Sequence, residues 1–195
     1  MDISEGLAEL NKLKDKSKYD AMLFTASVIT KLLEAKNIRP VIVGGLSVEI
    51  YTQSEYTTRD IDFVSEGYHI IEDVLFSLKF KKEGRHFYRE DIEIAIEVPD
   101  NELAGSKEKV VKVEIDEDKY VYVISVEDII LDRLRAAVHW KSEEDAVWGY
   151  KLLAKNFDDV DHDYLLENTE LVTERQELEN WINSILKGSD KNKKE

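Results

Sequence analysis

A chain of 195 residues, 43% hydrophobic and 35% charged, suffices for one ordinary domain or a small domain with a helical appendage. It contains no cysteine, which excludes disulfides, thiol catalysis and cysteine-based zinc sites. Its formal net charge of −15 is spread along the chain, so on average it should repel nucleic acid.

From Leu7 to Lys36, the apolar positions Ala21, Phe24, Val28, Leu32 and Ala35 recur at helical spacing and predict one long helix. Arg39 to Val43 reads as a short buried strand, Leu46 to about Gln53 as a helix, and Thr52 to Arg59 as a polar loop. A strand then carries Asp60-Ile61-Asp62, and Tyr68 to Leu78 is helical by spacing. Strands are expected at His86–Arg89, Ile92–Val98, Val110–Ile115 and Tyr120–Ile124, with a hairpin turn at Asp116-Glu117-Asp118. Lys79, Lys81, Lys82, Arg85 and Arg89 form the one basic run, read as a solvated loop or a nucleic-acid contact. From Ser125 the pattern is helical: about Val126–His139, Glu143–Asn156, Asp161–Glu167 and Val172–Lys187. Ser125, with Asp128 three residues on, makes an N-terminal cap with an acid in the first turn. The organisation expected is an α/β core over 1–124 with its N-terminal helix, a helical part over 125–188 and a disordered tail over 189–195. No run approaches the ~18 apolar residues that span a bilayer. The charged N-terminus has no signal-peptide core, and a cytoplasmic location is expected.

The stretch VIVGGLSVEIYTQSEYTTRDIDFV, residues 41–64, carries the chemistry. Residues two apart on a strand share a face, so Asp60 and Asp62 point one way and Ile61 and Phe63 the other. Two adjacent carboxylates repel unless solvated, protonated or bridged by a cation. Mg²⁺ suits that role, because it takes oxygen ligands and leaves positions for phosphate. Gly44-Gly45 permits close backbone approach to a phosphate, and a helix starting at Leu46 or Ser47 would point its free N–H groups at the anion. The bland alternative is a strand–turn–helix followed by a strand with two solvated aspartates.

The pattern GG-x-S followed by D-x-D resembles the nucleotidyltransferase superfamily, with its polymerase-β-like fold. Leu46 between Gly45 and Ser47 is similar to the minimal and toxin-associated bacterial and archaeal branches, in which that position varies. The resemblance implies an α/β (α+β) class: a mixed sheet flanked by helices, then a C-terminal helical bundle. It implies that Gly44, Gly45 and Ser47 grip the triphosphate and that Asp60 and Asp62 hold Mg²⁺ in a two-metal site. A third carboxylate belongs on a neighbouring strand. Glu97, near a strand end before Pro99, is the expectation, with Glu93 on the same face in reserve; both could equally be solvent-facing residues.

In the helical part, Arg133 and Lys141 could reach a triphosphate. By resemblance to the toxin-like members, Arg133 stands where a nucleotide-touching lysine is expected and Asp145 where an aspartate is. Trp148 occupies the place of a second aspartate. An ion pair within the helices is as good a reading of Arg133. Trp140 and Trp148 are read as packing residues, with base stacking as an alternative for Trp140. His139 and His162 have no partner histidine at metal spacing.

The expected function is Mg²⁺-dependent transfer of a nucleotidyl group from a nucleoside triphosphate to a hydroxyl on tRNA, a protein or a small molecule. A toxin with a separately encoded antitoxin protein as partner is one version, and an antibiotic-modifying transferase another. The reading from a different class is an inactive nucleotide sensor or interaction module.

Overall fold

The computed structural model describes residues 1–192, with side chains to Gly188. It divides into two compact units, Met1–Ser125 and Val126 onward. The expected tail over 189–195 falls partly outside the described residues, because 193–195 are not among them.

The first unit opens with α1 (Ile3–Asn11) and α2 (Lys18–Glu34). One continuous helix was expected; instead the chain turns at 12–17 and restarts at Ser17, whose side chain accepts from Asp20 N. The signal was local: serine with an acid three residues on is a helix start. The unit continues through β1 (Val41–Val43), α3 (Gly44–Thr52), β2 (Asp60–Val64), α4 (Tyr68–Ser77), β3 (Lys81–Glu83), β4 (His86–Arg89), β5 (Ile94–Asp100), β6 (Val111–Asp116) and β7 (Lys119–Val123). Seven strands form one mixed sheet in the order β3-β4-β5-β2-β1-β7-β6. β1 runs antiparallel to β2 and parallel to β7, and β2 runs parallel to β5. The α/β class expected from the motif is therefore the one observed.

Strand alternation sorts this sheet into two faces. Ile61, Phe63, Ile96 and Phe87 share one face, and each is at most 1% exposed. Phe87 meets Phe76 of α4 with ring centroids 5.9 Å apart. Burial of each large side chain contributes about 1.5–3 kcal/mol. Asp60, Asp62, Ala95, Glu97, His86 and Tyr88 take the opposite face by register. The strands that carry these carboxylates and the glycine turn, β5, β2 and β1, are the three middle strands of the sheet.

Residues 81–83, read as loop, form β3. All three are exposed, so no hydrophobic alternation marks them. The strand expected at 92–98 begins later. Glu90–Ile92 make a 3₁₀ turn, and Glu93 takes a left-handed conformation at φ 53°. Glu93 therefore does not share a strand face with Glu97.

The second unit comprises α5 (Val126–Trp140), α6 (Glu143–Lys155), α7 (His162–Glu167) and α8 (Val172–Asn192). α5 packs against α6, α7 and α8. Ser142 caps α6 by accepting from Asp145 N, and Asp161 caps α7 by accepting from Tyr164 N. α8 runs past Lys187 and takes in four residues expected to be tail. Among the described residues, no helix is long and apolar enough to cross a membrane.

Candidate active site

β1 ends at Val43, which pairs with Asp62, and the chain turns at once into α3. Gly44 has φ +59°, a conformation that L side chains rarely adopt. A Cβ on Gly44 would stand 2.2 Å from Asp62 Oδ2, and one on Gly45 would stand 2.4 Å from Thr58 Oγ1. The paired glycines thus make room first for the strand that carries the aspartates. Their missing side chains let the Asp62 carboxylate lie against the start of α3.

Asp60 and Asp62 are both half-buried on one face of β2. Thr58 Oγ1 donates to Asp60 Oδ1 at 3.3 Å. Thr58 N donates in turn to Glu49 Oε2 at 3.1 Å. Glu49 is 3% exposed, and burial pushes its carboxyl above the ordinary value, against the opposing pull of the Thr58 N–H. Glu49 and Thr58 together fasten the 53–59 loop that delivers Asp60. Lys18 donates to Glu93 O and lies within electrostatic reach of Asp60. Partial burial lowers its ammonium pKa, and the charges of Glu93 and Asp60 oppose that shift.

Of the residues expected in the site, the sheet brings together Gly44, Gly45, Asp60, Asp62 and Glu97. Glu97 is registered beside Asp62 on β5 and is 8% exposed. Its carboxylate pairs with Arg85, whose Nε lies 3.3 Å from Oε2; His86 Nδ1 lies 3.5 Å from the same oxygen without a hydrogen bond. Ser47 is fully buried, and its hydroxyl donates to Gly44 O at 2.7 Å. It braces the turn and offers nothing to a ligand in this arrangement.

The basic run does not survive as a patch. Arg89 is buried and donates to Asp91, Leu78 O and Asn11, while Lys82 pairs with Glu72 at 2.7 Å. Lys79, Lys81 and Arg85 remain exposed.

Arg133, Lys141 and Asp145 belong to the second unit. Arg133 Nη1 donates to Asp145 Oδ1 at 2.6 Å, with the two side chains 17% and 19% exposed. Two of the three residues expected to touch nucleotide hold each other. Lys141 is exposed, in a left-handed linkage at φ 53° between α5 and α6. Trp140, read as packing, is 81% exposed. His139 Nε2 lies 2.5 Å from the buried Glu174 carboxylate, and His162 Nε2 lies 2.8 Å from Phe157 O.

Three groups escaped sequence reasoning: Thr58 and Glu49, Lys18, and the Arg85–His86 clamp on Glu97. Thr58 stands two residues before Asp60, which strand spacing could have flagged. Glu49 is the one charged residue of α3. No local pattern marks Lys18.

Residues 23–104 match the family described as "Nucleotidyl transferase of unknown function (DUF2204)". That segment spans α3, the glycine turn, β2 and β5. A solved structure of similar fold is an antigenic nucleotidyltransferase-like protein from Paracoccidioides brasiliensis. It is 16% identical with a TM-score of 0.57, over 93% of this chain and 88% of that one. The chain has a nucleotidyltransferase-like fold. Nucleotidyl transfer is the general activity to which the family match points. Two structures of the antibiotic-resistance factor ANT(2″)-Ia also align. One, in solution, is 12% identical with a TM-score of 0.45, over 99% of this chain and 97% of that one. The other, a crystal structure in complex with adenylyl-2″-tobramycin, is 14% identical with a TM-score of 0.48, over 83% and 94%. No curated protein matches the sequence.

The donor set suits a hard cation. Both aspartates offer oxygen, and Asp62 occupies the space that a Cβ on Gly44 would fill. Among the described residues, no three His, Asp or Glu side chains stand close enough to hold a metal by themselves. A cation here would rest on Asp60 and Asp62, with its remaining ligands supplied from outside the chain.

Proposed function

We propose that this protein is a Mg²⁺-dependent nucleotidyltransferase that moves a nucleotidyl group from a nucleoside triphosphate to a hydroxyl acceptor. The observation that carries the reading is the contact between the Asp62 carboxylate and the Gly44 turn, which joins the anion-receiving end of α3 to the carboxylate pair of β2. Val43, the N-cap residue of α3, makes no side-chain cap, and a phosphate would be received at this end of the helix beside the Asp62 carboxylate. Asp60 and Asp62 would hold Mg²⁺, which supplies charge neutralisation at the transferring phosphoryl group when bound. Thr58, backed by Glu49, fixes Asp60 in orientation. The acceptor oxygen forms a bond to the α-phosphorus and the bond to the β-phosphate bridge breaks. Pyrophosphate leaves with the electron pair, and the hydroxyl proton passes to solvent across the half-open face. The Arg133–Asp145 pair gives no support to the toxin-like nucleotide contacts, so the reading does not rest on them.

Incubation of the purified protein with each of the four α-labelled triphosphates, Mg²⁺ and a cell extract tests it. Label should move to a macromolecule or metabolite with the parent and not with Asp62→Asn. Mg²⁺-dependent nucleotide binding with no transfer to any acceptor would favour the sensor reading.

A further inference from the structure

We infer that the acceptor approaches from the β4 side of the site and that Arg85, held in place by Glu97, selects an acceptor carrying phosphate beside its hydroxyl. This rests on the transferase reading above. In a nucleotidyl transfer, the attacking oxygen and the leaving pyrophosphate lie roughly in line on opposite sides of the α-phosphorus. The glycine turn continues β1, on one side of Asp62, while Glu97 and then His86 lie on the other side, on β5 and β4. Neighbouring strands stand about 4.8 Å apart, so β1 and β4 are roughly 14 Å apart across the face. A triphosphate seated at the α3 N-terminus therefore directs its attacking partner toward Glu97 and Arg85.

The clamp is built for an anion on that side. Arg85 sits after Gly84, which turns the β3–β4 hairpin with φ +61°. Its contacts with Glu97 and with His86 Nε2, at 3.3 and 3.4 Å, both use Nε. The side chain is otherwise 76% exposed, which leaves the planar NH₂ fork open for a bidentate oxyanion. Glu97, at 8% exposed, is thereby an anchor for Arg85 and a positioning residue. Along β3 and β4, beyond His86, lies an open cavity of about 650 Å³ lined by Lys81, Glu83 and Tyr88 and, past the strand end, by Glu90 and Asp91. The charges of the lining offset each other, with Glu83, Glu90 and Asp91 against Lys79, Lys81 and Arg89, and Tyr88 offers a ring for a ligand to lie against.

The test uses the full chain with a non-hydrolysable triphosphate and Mg²⁺. Two acceptor probes are read by anisotropy or calorimetry: a uridylate tetramer with a free 3′-hydroxyl, and kanamycin as a cationic polyol. The parent should bind the tetramer in preference to kanamycin. Arg85→Ala should weaken the tetramer at least about tenfold, the size of one lost charge-assisted hydrogen bond, and Arg85→Lys should fall between. Both variants should bind the triphosphate within about twofold of the parent. Glu97→Gln should weaken the tetramer without altering the Mg²⁺ dependence of triphosphate binding. The inference is overturned if Arg85→Ala weakens the triphosphate instead, if it binds the tetramer as the parent does, or if the parent prefers kanamycin or binds neither probe. An altered Mg²⁺ dependence in Glu97→Gln would overturn the anchor role by making that residue a metal ligand. A parent that binds no triphosphate with Mg²⁺ is a different result, and it sinks the transferase reading itself.

Discussion

In the first unit, Asp60 and Asp62 stand side by side on β2, like charges on one half-buried face. In the second, Arg133 donates to Asp145 at 2.6 Å and His139 meets the buried Glu174 at 2.5 Å, so opposite charges close on each other. Both units had residues expected to touch nucleotide. The difference is that a strand sets direction from sequence alone, whereas helix side chains are directed by whichever neighbour packs against them. A like-charged pair on a strand still gains from a bridging cation, whatever other partners each carboxylate has, as Asp60 has in Thr58. An opposite-charged pair between helices is already satisfied.

The largest expected effect is at Asp62. Asp62→Asn should lower nucleotidyl transfer by more than about 100-fold, beyond the range seen when only an outer-shell partner of a metal is lost. Removing one of two like charges should leave the melting temperature unchanged or higher. A variant that melts earlier yet transfers label normally would make Asp62 a structural residue like Asp145.

Gly44→Ala comes next. The new Cβ meets Asp62 Oδ2 at 2.2 Å in a backbone with φ +59°. It should cost about 1–3 kcal/mol in chemical denaturation and weaken nucleotide binding as well. Gly149→Ala is its counterpart in the second unit, where a Cβ would stand 2.6 Å from Trp181 Cη2. The clash, about 1–3 kcal/mol, outweighs the gain of about 1 kcal/mol in helix propensity. This variant should be less stable but bind nucleotide as the parent does. Nucleotide affinity lost equally in both glycine variants would erase the distinction between the units.

The smallest effect concerns Glu49. Burial raises its carboxyl above the ordinary 4.5, so its protonated form favours the fold. That contribution is complete below the ordinary value and is lost as pH rises through the raised one. Glu49→Gln stays neutral and can still accept from Thr58 N. It should therefore melt about a degree or two above the parent at pH 8, with the gap closing toward pH 4. A gap that does not change with pH would mean that Glu49 ionises freely in the fold.

The placement of the candidate site was legible because Ile61 and Phe63 separate the aspartates onto their own face and because glycines precede a helix. The Glu93–Glu97 pairing was misread because Glu93 ends a 3₁₀ turn, which two-residue spacing cannot reveal. β3 was missed because Lys81, Lys82 and Glu83 are all exposed and show no alternation. Trp140 was misread because aromatic residues at helical spacing normally pack, and this one is exposed. Partners distant in sequence, such as Lys18 near Asp60, depend on how helices settle on the sheet and leave no trace in local pattern.

The account stands most directly on one titration: binding of a non-hydrolysable triphosphate to the parent and to Asp62→Asn, with Mg²⁺ and with EDTA. It predicts tight binding only for the parent with Mg²⁺, at least about tenfold weaker binding in the other three cases, and equal folding of both proteins. Equal affinity with Mg²⁺ and with EDTA, or an Asp62→Asn variant that binds as the parent does, would contradict it.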